Sequence, residues 1–221
     1  KILLSKRCLE IKCMSQACRE SLRLLFGESV YDKSKLSYPI VKIQGTHKKP
    51  LSKNITKFLF VGTQFELKGG KALIKAFSSA YKKNNNISLN IITHLPHSFS
   101  KNYKGIRFYS ANYSKEEIYQ KFMNNSDVLI HPTYVETFGV TVLEAIANGL
   151  GVIATDVYAL PEMVKDGING IIVEPPISIW DGYLPSVHYE NLSNLKIYIQ
   201  NIDTKKFELE LEKSILKFAN D

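Results

Sequence analysis

At 221 residues the chain is long enough for one domain, or one domain with a piece of another, and for a real buried core. With 44% apolar residues and no low-complexity segment it reads as globular, and no apolar run approaches the ~18 residues of a membrane-spanning helix. The 29 Lys and Arg outweigh 21 acids to give +8, a balance that suits nucleic acid, an anionic membrane surface or an anionic small molecule; the lysines are scattered (Lys48-Lys49, Lys82-Lys83, Lys205-Lys206), and no run is long enough for a nucleic-acid arm.

The chain opens at Lys1 with no visible signal peptide and reads as cut from something longer. Cys8, Cys13 and Cys18 stand five apart, a spacing that turns a helix by about 140° per step. They would not share a helix face and read as reduced thiols of a cytosolic chain, without a metal pattern. SQACRESLRLLFG predicts a helix capped by Ser15, with Cys18, Leu22, Leu25 and Phe26 on one face and Gly27 at its end. Residues 28–50 are polar and broken by Pro39, Gly45 and Pro50, which suggests a linker with one short strand at 39–43.

From Lys57 the pattern is regular. KFLFVG reads as a buried strand and GGKALIKAFSSAYKK as a helix with Leu73, Ile74, Phe77 and Tyr81 on one side. SLNIIT and GIRFYS are two further strands. SKEEIYQKFM opens with a capping box, Ser114 to Glu117, and buries Ile118, Tyr119 and Phe122. DVLIHP is a fourth strand, TVLEAIANG a helix stopping at Asn148-Gly149, GVIATD a fifth strand and NGIIVEP a sixth. Short continuous apolar strands alternating with amphipathic helices predict an α/β fold: a Rossmann-like parallel sheet covered by helices on both faces. Beyond Pro176, Leu195, Tyr198, Ile199 and Ile202, then Phe207, Leu211, Ile215 and Phe218, have helical spacing, so two helices close the chain.

In such sheets ligands bind past the carboxyl ends of the strands. Two stretches fall there. HPTYVETFGVTVLEA, from His131, carries Glu136 in a turn and Glu144 inside the following helix. A helix start offers uncommitted N–H groups and a positive dipole end, and Gly139 leaves the backbone open to an anion. Glu136 is placed to accept hydroxyls joined to a bound phosphate, and Glu144 to reach a second hydroxyl group such as a ribose diol. Thr141-x-x-Glu144 is equally a capping-box signature, so the local pattern supports both a cap and a ligand at Glu144. The second stretch, VGTQFELKGGKA, places Lys68 at a helix start, where a cation makes electrostatic sense if an anion lies beside it. It has neither the Walker spacing nor G-x-G-x-x-G.

Together FLFVGTQFELKGG, ETFGVTVLE and AIANGLGVIATDVYALPEMVKDGINGIIVEPP resemble the nucleotide-sugar-binding half of the retaining "group 1" glycosyltransferases of two-Rossmann-domain (GT-B) architecture. The resemblance covers about residues 56–176. It implies a remnant of an N-terminal domain and interdomain linker at 1–44, a nucleotide-sugar-binding domain at 45–176, and C-terminal helices at 177–221. It also implies hexosyl transfer with retention, in polysaccharide or glycolipid biosynthesis, from a UDP- or GDP-sugar to a glycan or lipid-linked hydroxyl acceptor, without a metal or nucleic acid. The implied setting is cytoplasmic, with the inner face of an anionic membrane as a further expectation. Glu136 would contact donor-sugar hydroxyls and Lys68 would neutralise the diphosphate, these two being the catalytic pair. Gly62, Thr63, Thr137 and the backbone of Phe138, Gly139 and Val140 would hold sugar or phosphate. Glu144 would bind ribose, and Ser110, Ala111 and Asn112 would face the base. A sugar-nucleotide epimerase or a phosphorylase on the same architecture, or a non-catalytic basic binding module, are the alternatives.

One position departs from the family, which often has Arg after the first Val-Gly. Thr63 stands there and offers a single hydroxyl in place of a guanidinium fork. Either Lys68 acts with less help, or another cation arrives, or the donor differs. Among the histidines, His94 and His97 lack the further ligands a metal wants. They read as loop residues, His94 facing the donor cleft. His131 reads as packed rather than catalytic, and His47 and His188 carry no signal.

Overall fold

The computed structural model describes residues 2–43, 55–94, 102–186 and 192–220. His47, Pro50, Gly45, His97 and His188 lie outside them, as does the 44/45 boundary.

The amino-terminal segment forms its own small layer. Strand β1 (Ile11–Cys13) leads into helix α1 (Gln16–Phe26), helix α2 (Glu28–Tyr31) and strand β2 (Ser34–Leu36), and β1 and β2 pair in parallel. Ser15 caps α1 as the sequence predicts, its hydroxyl accepting from the Cys18 amide at 3.0 Å. The expected strand at 39–43 does not form. Chain pairing goes to Ser34–Leu36, which finds β1 as a partner, while Ile40 and Ile43 stay exposed. The cysteines share no helix face: Cys13 ends a strand and only Cys18 lies in the helix. Cys13 is buried, and that burial, followed by the neighbouring Cys18 thiol, pushes its own thiol up to about 11. All three thiols are free.

The main body is a six-stranded parallel sheet. It is built from β3 (Thr56–Gln64), α3 (Gly70–Lys83), β4 (Ile87–His94), β5 (Ile106–Ser110), α4 (Lys115–Glu117), β6 (Val128–His131), α5 (Val140–Ala147), β7 (Gly151–Thr155), α6 (Leu160–Met163) and β8 (Gly170–Val173). The strands run β5-β4-β3-β6-β7-β8 across the sheet, so counted from β3 the order is 3-2-1-4-5-6, the doubly wound order with its reversal between β3 and β6. Side chains alternate between the two faces: Phe58 and Phe60 of β3 and Ile130 of β6 enter one core, Leu59 and Leu129 the other. The first core is covered by α3 and by the closing helices α7 (Leu192–Asn201) and α8 (Lys205–Asn220), which insert Leu195, Ile199, Phe207, Leu211 and Ile215. The second is covered by Tyr119, Phe122 and Met123 after α4 and by Val142 and Ala145 of α5. The capping box forms: Ser114 Oγ accepts from the Glu117 amide at 3.2 Å and Glu117 returns the bond to the Ser114 amide. The helix it opens is short, passing into a π turn at Ile118–Phe122. Among the described residues no helix is long and apolar enough to cross a membrane.

One carboxylate ties the two layers together. Glu162 of α6 accepts the first amides of α1, Gln16 and Ala17, each at 2.8 Å, and the Tyr38 hydroxyl at 3.0 Å. A carboxylate facing uncommitted helix amides and a positive dipole end is well satisfied there. The bond seats Ala17 against Phe138 and brings Met14 to the edge of the main sheet.

Candidate active site

A cleft of about 510 Å³ opens at the carboxyl edge of the sheet, at the reversal between β3 and β6. Val61, Gly62 and Thr63 come from β3, Ile92 from β4, Ala111 and Tyr113 from the loop after β5, and His131 from the end of β6. Glu136, Thr137, Phe138, Gly139, Val140 and Thr141 form its far wall, and Lys68 reaches in from the loop before α3.

The loops carrying Lys68 and Glu136 are stitched together. The Tyr134 amide donates to Leu67 O at 3.0 Å. The Thr155 hydroxyl donates to Thr133 O at 2.7 Å, and the Thr133 hydroxyl donates to Val135 O at 2.7 Å. Gly69, with φ of 72°, lies so close to Pro132 O that any Cβ there would overlap it. These constraints bring Lys68 Nζ to 2.8 Å from Glu136 Oε2 and 2.9 Å from Val135 O. His131, only 3% exposed, adds its Nε2 at 2.9 Å from the same carboxylate oxygen, while Glu136 Oε1 accepts from the Thr137 amide at 3.1 Å.

The electrostatics follow from this packing. Burial alone would raise the Glu136 carboxyl, but the His131 hydrogen bond and the Lys68 charge together outweigh it and hold the group well below the usual carboxylate range. Burial pushes His131 down, and the Glu136 contact only partly offsets it, so the ring is neutral at pH 7. Both native pKa values lie below their unfolded ones, so the unfolded chain takes up protons that the native chain does not. Stability is therefore present above those unfolded values and falls as pH falls, first below about 6.5 for His131 and then below about 4.3 for Glu136. Urea midpoints are expected to drop from pH 7.5 to pH 5, with His131→Gln removing the upper part of that drop; equal slopes in the two proteins would contradict it.

Helix α5 begins on Gly139, whose φ of 89° is left-handed, and among the described residues no side chain caps it. The amides of Val142 and Leu143 return to Gly139 O, which leaves the amides before them outside the helix ladder. Thr141 thus lies inside the first turn and cannot act as the cap, so the capping-box pattern at Thr141 and Glu144 is not realised. Glu144 is instead buried and ion-paired with Lys115 of α4, one turn beyond the cleft wall. Ser110 and Asn112 are exposed on either side of Ala111, and His94 ends β4 exposed, outside the cleft lining. Two partners in the site are not evident from local sequence. Lys115 comes from another element and no local pattern marks it. His131 is buried as expected but is bonded to Glu136, and its position five residues upstream, at the end of a strand, was the available signal.

A family model described as glycosyl transferases group 1 matches residues 43–181. The chain belongs to the group 1 glycosyltransferases. A Klebsiella pneumoniae relative described as an uncharacterized 41.2 kDa protein in the cps region is 31% identical over 152 residues, 64% of this chain and 42% of its own length. The D-inositol 3-phosphate glycosyltransferase of Paenarthrobacter aurescens is 36% identical over 74 residues, 34% of this chain and 16% of its own. Among solved structures, Anabaena HepE in complex with UDP superposes with a TM-score of 0.61 at 18% identity, over 96% of this chain and 60% of HepE. WaaG, a glycosyltransferase involved in lipopolysaccharide biosynthesis, gives 0.59 at 18%, over 96% and 58%. At that identity the likeness establishes the fold, a parallel α/β sheet flanked by helices as in GT-B glycosyltransferases. This group 1 chain spans 42% of the Klebsiella relative's length.

Proposed function

We propose that the chain is the donor-binding half of a glycosyltransferase that moves a sugar from a nucleotide-diphosphate sugar to a hydroxyl acceptor with retention at the anomeric carbon. The observation that carries the reading is the convergence of Lys68, Glu136 and the uncapped start of α5 on one cleft at the sheet reversal. The difficult step in such a transfer is the charge that grows on the departing diphosphate. Lys68 and the amides at Phe138, Gly139 and Val140 answer it with an ammonium and fixed dipoles, without a metal. Glu136 accepts from the donor sugar's hydroxyls and offsets the positive charge of an oxocarbenium-like transition state; Glu144, one turn beyond the cleft wall, takes the ribose by giving up its ion pair with Lys115, and Ala111 with its neighbours Ser110 and Asn112 borders the base. Gly62 and Thr63 complete the floor.

HepE was solved with UDP and with UDP-glucose, which favours a UDP-sugar here. Residues 1–44 act as the link to a second half that supplies the acceptor, a glycan or lipid-linked glycan. The charge of +8 suits work at the inner, anionic face of a membrane. Calorimetric titration of the chain with UDP and GDP tests the donor site: saturable heat is expected, unchanged by EDTA. A folded sample that gives no heat with either nucleotide would overturn the assignment.

A further inference from the structure

Lys68 has two demands on it. In the structure its ammonium holds Glu136, yet the function proposed above, on which this inference rests, turns that ammonium toward a diphosphate. A carboxylate as buried as Glu136, with a side chain 15% exposed, is costly to leave with one partner fewer. Among the described residues the remaining donor to Oε2 is His131, and it cannot follow a ligand. It is the last residue of β6, fixed in the ladder opposite Ala154, and its ring is buried.

The tautomer follows from the hydrogen bonds. His131 Nδ1 is buried with no partner among the described residues, while Nε2 faces an ionised carboxylate. A proton on Nδ1 would bury an unsatisfied N–H and turn a lone pair toward the anion; a proton on Nε2 avoids both. The neutral ring therefore donates through Nε2.

We propose that His131 is a positioning residue for the sugar-recognising carboxylate: its Nε2–H keeps Glu136 oriented and ionised while Lys68 is drawn to the diphosphate. The role concerns recognition of the sugar, so its loss acts on the sugar-bearing donor and spares the bare nucleotide. It also depends on one ring nitrogen. The amide of glutamine reaches as far from the backbone as Nε2, whereas that of asparagine reaches only as far as Nδ1.

The test titrates the full chain and its His131→Gln and His131→Asn variants with UDP and UDP-glucose, and with GDP and GDP-mannose, after circular dichroism establishes folding. A hydrogen bond to a charged group predicts that His131→Asn weakens nucleotide-sugar binding about tenfold or more relative to the matching bare nucleotide, with His131→Gln within about threefold of wild type. If His131→Asn keeps the wild-type ratio, or if both variants lose the two ligands equally, the ring only fills space and the proposal fails while the donor site stands. If the wild type binds none of the four ligands, the donor-site reading falls and this inference with it.

Discussion

Replacing Lys68 with methionine is expected to weaken binding of a nucleoside diphosphate by about two orders of magnitude, the scale of a charge-assisted contact to phosphate lost from a partly buried site. The side chain length and most of its packing are kept, so the change removes the ammonium and little else. It also strips Glu136 of one of its two partners on Oε2 among the described residues, leaving His131 there and the Thr137 amide on Oε1. Because the pair is only partly buried, with side chains 22% and 15% exposed, the accompanying loss of stability should be about 1–3 kcal/mol, below that of a fully buried pair. The two effects can be separated. In the Lys68→Met/Glu136→Gln double variant no uncompensated carboxylate remains, so much of the stability should return, but nucleotide affinity should not. Urea titrations and calorimetry on the four proteins of this cycle read the two quantities independently. Nucleotide affinity that recovers together with stability would mean that Lys68 acts on the fold and never meets the phosphate.

The parallel sheet was legible because its strands are buried on both faces. KFLFVG, SLNIIT, DVLIHP and GVIATD are continuous apolar runs between amphipathic helices, and β3, β4, β6 and β7 form where they fall. The closing helices followed from residues such as Leu211 and Ile215, which are buried as their spacing requires. What failed depended on partners distant in sequence. The run at 39–43 contains Ile40, Val41 and Ile43, as apolar as several true strands, yet β1 pairs with Ser34–Leu36 instead. A three-residue strand containing a lysine carries no local signal, and its existence is decided by the neighbour it meets.

The site divides in the same way. Lys68 and Glu136 stood out because each is a mismatch in its local setting, a cation at the wrong helix end and an acid in a turn; that α5 starts on Gly139 without a side-chain cap was not readable, since the sequence offered a capping box two residues later. Glu144 shows the limit of pattern alone. Thr141-x-x-Glu144 has the spacing of a capping box, but the helix starts two residues too early for it, and the acid's partner is Lys115 from across the cleft edge. His131 was legible as buried, but the bond that makes it more than packing requires the turn after β6 to fold back.

Gly139→Ala should be the more damaging of two glycine substitutions at the ends of α5. Gly139 at its start has φ of 89° and Gly149 just after its end has φ of 78°, so alanine meets a similar left-handed penalty of about 1–2 kcal/mol at both. Their surroundings differ. A Cβ at Gly149 has open space, whereas at Gly139 it overlaps Cδ2 of the fully buried Leu160 and lies near Glu136 and Met163. Leu160 is packed in the core and has little room to yield, so the turn must open and carry the amides of Gly139 and Val140 with it. Gly139→Ala is therefore expected to cost about 2–4 kcal/mol, the sum of backbone strain and overpacking, and to lower nucleotide affinity tenfold or more. Gly149→Ala should cost about 1–2 kcal/mol and leave affinity within about twofold of wild type. Comparing the two removes general destabilisation from the reading, since both loosen the same helix. If folded Gly139→Ala binds UDP as Gly149→Ala does, the amides at the start of α5 do not hold the diphosphate.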